Sequence, residues 1–154
     1  MPVLRAFSLF GLLLFSGLAG AAVEVTGPVE YGLFSNPRLG LQPGERVLSR
    51  SDPAIEHTTR VPARLGTRFG VRYRLQGKRE GDMPLTLLYL TPGVVTPDGQ
   101  RHDKFEVVQK LVSDSAQDVM AFEFTESHEL VAGDWHFLVF QGDRKLLEQR
   151  FIVE

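Results

Sequence analysis

The sequence contains no cysteine among its 154 residues, which excludes disulfide bridges, thiolate metal ligands and cysteine nucleophiles. Nor is there an apolar run long enough to cross a bilayer as a helix, which takes about 20 residues. The longest, Ala6 to Leu18, falls short of that. No helical apolar period is sustained over a dozen residues, so a helical bundle is not expected. Charge of one sign is also missing: 17 basic residues stand against 19 acidic ones, with a sequence pI near 6.1. A balance of this kind gives no overall field to attract nucleic acid or an anionic membrane. Internal repeats, linkers and low-complexity tracts are absent. So are a P-loop and a dinucleotide fingerprint, and no cofactor is expected.

The first segment decides the expected compartment. Met1 to Arg5 carries one positive charge, the apolar run follows, and small residues come next in Ala19-Gly20-Ala21-Ala22. This is the build of a secretory signal peptide with an A-x-A cleavage site. Residues 1–21 are expected to be removed and residues 22–154 to form a single domain, periplasmic or secreted, without stable membrane insertion after cleavage. A retained amphipathic or membrane anchor is the alternative. With no cysteine at the cleavage site, a lipid anchor there is excluded. Removing 21 of 154 residues leaves 133, and since Arg5 is the only charge lost, 16 basic groups face 19 acids, a net −3. One domain suits this length, and eight of the eleven Phe together with Trp135 remain to build a core without staples.

Alternation at period two recurs through the mature chain, as half-buried strands require. In Arg68 to Gln76, Phe69, Val71, Tyr73 and Leu75 point one way, and Arg68, Arg72, Arg74 and Gln76 the other. Val119 to Thr125 repeats the pattern with Met120, Phe122 and Phe124 inward. Trp135 to Gln141 is apolar on both faces and reads as a central strand. Gly142-Asp143 places glycine at the first central position of a type II′ hairpin, joining that strand to Lys145–Val153. Further strands are expected at Val23–Phe34, around His57–Val61, at Leu85–Leu90 and at Lys104–Val112. The polar segment Ser35–Glu56, broken by Pro and Gly, reads as a long loop with at most one short edge strand. Glycine and proline punctuate the remainder, including a Pro-rich turn at Thr91 to Gly99. The fold class is therefore all-β, an antiparallel β-sandwich of about seven to eight strands, with an eight-stranded closed barrel as the alternative.

Four stretches together carry a resemblance: Glu30-Tyr31-Gly32, the run Val61-Pro62-Ala63-Arg64-Leu65-Gly66-Thr67-Arg68-Phe69-Gly70, the turn at Thr91 to Gly99, and Leu130-x-x-Gly133-x-Trp135-x-Phe137. The chain resembles, from about Val23 to Val153, an uncharacterised family of small exported bacterial proteins, domain of unknown function 3859. The resemblance implies an immunoglobulin-like sandwich and transfers no catalytic residue.

The strongest local feature is a basic stretch, Arg60, Arg64, Arg68, Arg72, Arg74, Lys78 and Arg79, with no acidic residue inside it. Arg68, Arg72 and Arg74 are expected to form one row on an exposed sheet face. Arginine forks bind carboxylate and phosphate in bidentate fashion, so the row is the candidate binding site for an envelope protein or an anionic surface glycan. The ordinary alternative is pairing with acids on neighbouring strands, such as Glu106 and Glu123. Nucleic acid is a poorer fit, because no base-stacking aromatics interleave the row on its exposed side.

Other chemistry finds no constellation. His57, His102, His128 and His136 are scattered over separate segments, and only His128 and His136 could meet across strands, without a third ligand. Ser127-His128-Glu129 has the residue types of a triad, but neighbours on a strand point to opposite faces. No Gly-x-Ser-x-Gly elbow stands in the mature chain, and nothing selects one carboxylate pair for glycoside hydrolysis. Trp135 reads as a core indole with its N–H on a backbone carbonyl. Gly66 and Gly70 read as a turn and a close sheet contact. The expected function is a non-catalytic exported binding or accessory module. Two alternatives stay open: an enzyme inhibitor or hydrolase with its site in Ser35–Glu56 and Thr91–Asp103, and a strand-pairing subunit using Val23–Phe34 or the last strand.

Overall fold

The computed structural model describes residues 22–35 and 54–154. The signal segment, its cleavage site and most of the Ser35–Glu56 loop lie outside the described residues. Nine strands are present among the described residues: β1 (Glu24–Phe34), β2 (Ile55–Glu56), β3 (Arg60–Val61), β4 (Arg68–Gln76), β5 (Leu85–Val95), β6 (Arg101–Gln109), β7 (Asp118–Glu123), β8 (Gly133–Gln141) and β9 (Arg144–Val153). They form a four-stranded sheet in the order β2-β1-β4-β7 and a five-stranded sheet in the order β3-β9-β8-β5-β6. Among the described residues the strands form two separate sheets, so this is a sandwich and not the closed barrel held as the alternative.

Hydrophobic alternation explains the layering. On β4, Phe69, Val71, Tyr73 and Leu75 are buried while Arg68, Arg74 and Gln76 are exposed. Phe69 sits at the centre of the core: its ring lies 5.2 to 6.2 Å from those of Phe122 in its own sheet, of Phe124 just after β7, and of Trp135, Phe137 and Phe151 in the other sheet. Trp135 is fully buried and its indole N–H donates to the Val131 carbonyl at 3.0 Å. The Tyr89 hydroxyl crosses the sandwich and donates to the Ala121 carbonyl at 3.0 Å.

Glycine matters where backbones nearly touch. Gly70 lies opposite Ala121, and a Cβ there would sit 2.1 Å from the Met120 carbonyl oxygen. The β8–β9 hairpin turns on Gly142 at φ +58, and Asp143 keeps a negative φ, the combination of a type II′ turn.

Several elements depart from the sequence expectation. β5 runs on through Thr91-Pro92-Gly93 instead of turning there. A bulge between Leu90 and Val94 absorbs the proline, and the Thr91 hydroxyl holds it by donating to the His102 carbonyl at 2.8 Å and accepting from Gly93 N–H at 3.1 Å. β6 begins at Arg101, earlier than expected, as the return arm of that longer hairpin. The stretch around His57 to Val61 supplies two short strands on different sheets: β2 antiparallel to β1, and β3 parallel to the end of β9. The five-stranded sheet is therefore mixed. Ser127–Glu129 is a 3-10 turn and not a strand, because the Glu129 carboxylate accepts from the backbone N–H groups of Thr125 and Glu126 at 2.7 and 2.9 Å.

Candidate functional site: an arginine face on the four-stranded sheet

The face of β4 opposite the core carries Arg68, Arg72 and Arg74 together, as the alternation requires. Their surroundings differ. Arg72 donates its Nε–H to Glu30 of β1 at 2.8 Å, with the arginine side chain 12% exposed and the glutamate 36%. The hydrogen bond from Arg72 holds the Glu30 carboxyl below its ordinary value of 4.5. Partial burial opposes that shift, and the positive charges of Arg72, His57 and Arg74 add to it. Arg68 places its guanidinium 5.6 Å from the Phe34 ring centre. Arg74 is exposed, opposite Thr26. Among the described residues neither Arg68 nor Arg74 forms an ion pair, although Glu123 lies opposite Arg68 in the strand register.

Two other basic residues of the stretch, Lys78 and Arg60, do not join this face. Lys78 turns inward, where its ammonium donates to Asp118 at 3.0 Å and to the Ser115 carbonyl at 2.6 Å, both charged side chains being only 4% exposed. Arg60 belongs to the five-stranded sheet and pairs with Glu154 at 2.6 Å. Glu106, expected as a partner for the row, sits on β6 in the opposite sheet and cannot reach it. The true partner, Glu30, escapes sequence reading because residues 27–29 bulge out of β1 and shift its register against β4.

Beside Arg72 and Arg74 a polar cavity of about 290 Å³ opens, walled also by Pro28, Glu30, Tyr73 and Gln117. Of the wall residues, Gln117 carries a buried Oε1 without a hydrogen-bond partner; Tyr73 Oη is likewise unpartnered, but its side chain lies on the core side of β4. Burial, with the nearby Asp118 charge adding to it, pushes the Tyr73 phenol well above its ordinary range, so the hydroxyl stays protonated and able to donate. At the other end of the row Arg64 and Arg68 border a more apolar cleft of about 370 Å³ that also contains Phe34 and the exposed Leu65. The site thus combines guanidinium donors, one carboxylate acceptor and an unsatisfied amide oxygen.

The remaining candidates are not brought together. His128 lies in the 3-10 turn, whereas His136 faces Glu148 at 3.9 Å on the five-stranded sheet. Among the described residues no group of three or more His, Asp or Glu could hold a metal ion. Glu129 of the Ser127-His128-Glu129 run is occupied in capping its own turn.

A family model, Domain of unknown function (DUF3859), matches residues 22–153. The chain belongs to this family. A solved member of the same architecture, an immunoglobulin-like protein of Pseudomonas aeruginosa, is 61% identical, with a TM-score of 0.76 over 88% of this chain and 99% of that one. The family's sandwich is thus immunoglobulin-like. A second solved structure, the alkylpurine DNA glycosylase AlkC of Pseudomonas fluorescens bound to DNA containing an abasic site analogue, has a TM-score of 0.33 at 14% identity over 62% of this chain and 28% of that one; it carries no argument here. No curated protein matches the chain.

Proposed function

We propose that this DUF3859 chain is a non-catalytic, exported binding module of the bacterial envelope that takes an anionic, hydroxyl-bearing group on the arginine face. An acidic sugar of a surface glycan is the ligand class, and a carboxylate on an envelope protein meets the same guanidinium donors. The observation that carries this reading is the polar cavity beside Arg72 and Arg74. An unsatisfied buried polar group costs about 1–3 kcal/mol, and in native proteins such a group signals a missing water, ion or ligand. A sugar hydroxyl can donate to Gln117 Oε1. A carboxylate on the same sugar takes the arginine fork.

The hydrolase or inhibitor reading has less support. Of its two segments, residues 36–53 lie outside the described residues, and Thr91–Asp103 is largely strand and bulge. Calorimetric titration of the mature chain with oligogalacturonate tests the proposal, with a neutral oligosaccharide of the same length as control. Binding is expected for the acidic oligomer alone and should weaken as salt rises. R68S/R74S, which leaves the Arg72–Glu30 pair in place, is expected to weaken it at least about tenfold, the loss of two charge-assisted contacts. Equal affinity for both sugars, or for the variant and the parent chain, refutes the reading.

A further inference from the structure

The five-stranded sheet ends in β6, a nine-residue strand with a partner on one side only. One row of its backbone N–H and C=O groups is therefore unpaired among the described residues, an arrangement natural proteins usually blunt because it templates pairing with another chain. Here the blunting is incomplete. Val107 and Val108 are 48% and 66% exposed, and Val108 is the most exposed large hydrophobic side chain among the described residues.

The charges on β6 fall into two sets. Arg101 and Asp103 pair with each other at 2.9 Å, and Arg101 also donates to the Pro92 carbonyl at 2.6 Å. Lys104 and Glu106 form no ion pair among the described residues. Phe105 between them lies opposite the buried Tyr89 and packs toward the core, 6.1 Å from Phe122. Lys104 and Glu106 accordingly share the outer face, beside Leu90 and Leu88.

We propose that β6 pairs antiparallel with β6 of a second copy of this chain, across a two-fold axis between the two Phe105 residues. Two independent requirements select that register. Phe105 is the midpoint of Arg101–Gln109, so this axis pairs the strand over its full length. The same axis sets Lys104 of each copy directly opposite Glu106 of the other, so both unpaired charges are matched twice. Moving the axis to Lys104 or to Glu106 shortens the ladder and places like charges face to face, which is unfavourable in an antiparallel pair. The interface is isologous, as a two-fold dimer demands, and the neighbouring strand covers Val107 and Val108. The arginine face lies on the other sheet of the sandwich, so the pairing leaves it open and does not depend on it.

Sedimentation of the mature chain from about 1 µM to 1 mM tests the proposal. A monomer–dimer equilibrium is expected. K104E and E106K each turn two attractive pairs into two repulsive ones and are expected to weaken dimerisation at least about tenfold with unchanged circular dichroism. The double variant K104E/E106K restores opposite charges across the axis and is expected to restore the dimer. A chain that stays monomeric up to about 1 mM, leaving the edge to a strand of another protein, overturns the proposal. So does a dimer indifferent to the single changes, or one that the double variant fails to rescue.

Discussion

Tyr89 shows how one polar atom can fix the spacing of two sheets. Its ring packs against Phe137 and Phe122, 4.8 and 5.9 Å between centres, and its hydroxyl reaches the Ala121 carbonyl of the opposite sheet. Burial pushes its phenol up to about 12, with the positive charge of Arg68 pulling weakly downward. Because the folded value lies above the ordinary 10, the hydroxyl's contribution is complete below pH 10 and is lost as pH rises toward 12. Tyr89→Phe is expected to cost about 1 kcal/mol at neutral pH, measured by urea unfolding. Its deficit against the parent chain should shrink between pH 10 and 12, since only the parent must ionise that phenol. A deficit constant across that range would mean that burial does not raise the Tyr89 phenol. At the same scale Glu30 behaves oppositely: its lowered carboxyl keeps the Arg72 pair intact above the ordinary carboxylate range, and the pair weakens only in stronger acid.

At the scale of elements, the Lys78–Asp118 pair ties the turn after β4 to the start of β7. Taking two charges out of water is costly, and what keeps the pair favourable is its second bond, to the Ser115 carbonyl. Lys78→Met alone strands a buried carboxylate and is expected to cost about 3–5 kcal/mol, whereas Lys78→Met with Asp118→Leu is expected to recover most of that loss. Chemical denaturation of the two variants measures the difference, and equal losses would show that packing and not charge governs the site. The sequence carries no trace of this pair, since nothing in a run of basic residues separates an inward lysine from an outward arginine. Strands were legible where the apolar period is strict. β4 has the expected ends and faces, β8 is central, and the Gly142-Asp143 turn is of the expected type. Two-residue strands and bulges were not legible, because β2, β3 and the Thr91–Gly93 bulge are set by cross-strand hydrogen bonds rather than by periodicity. The arginine row was visible as an alternation. Its cavity was not, since Gln117 and Glu30 reach it from other strands and loops.

Across the whole molecule the two sheets present different chemistry to solvent. The four-stranded sheet offers guanidinium groups and an incompletely satisfied polar cavity, and among the described residues the five-stranded sheet ends in a strand paired on one side, with Lys104 and Glu106 in no ion pair. An immunoglobulin-like sandwich can serve both uses at once, because its core between the sheets bears the load of stability and leaves each outer surface free to vary. Amide chemical-shift mapping of the mature chain on addition of oligogalacturonate reads out whether the arginine face binds an acidic sugar. Shifts concentrated at Glu30, Arg68 to Arg74 and Gln117 are the expected result. Shifts elsewhere on the sandwich, or none at millimolar ligand, would contradict it.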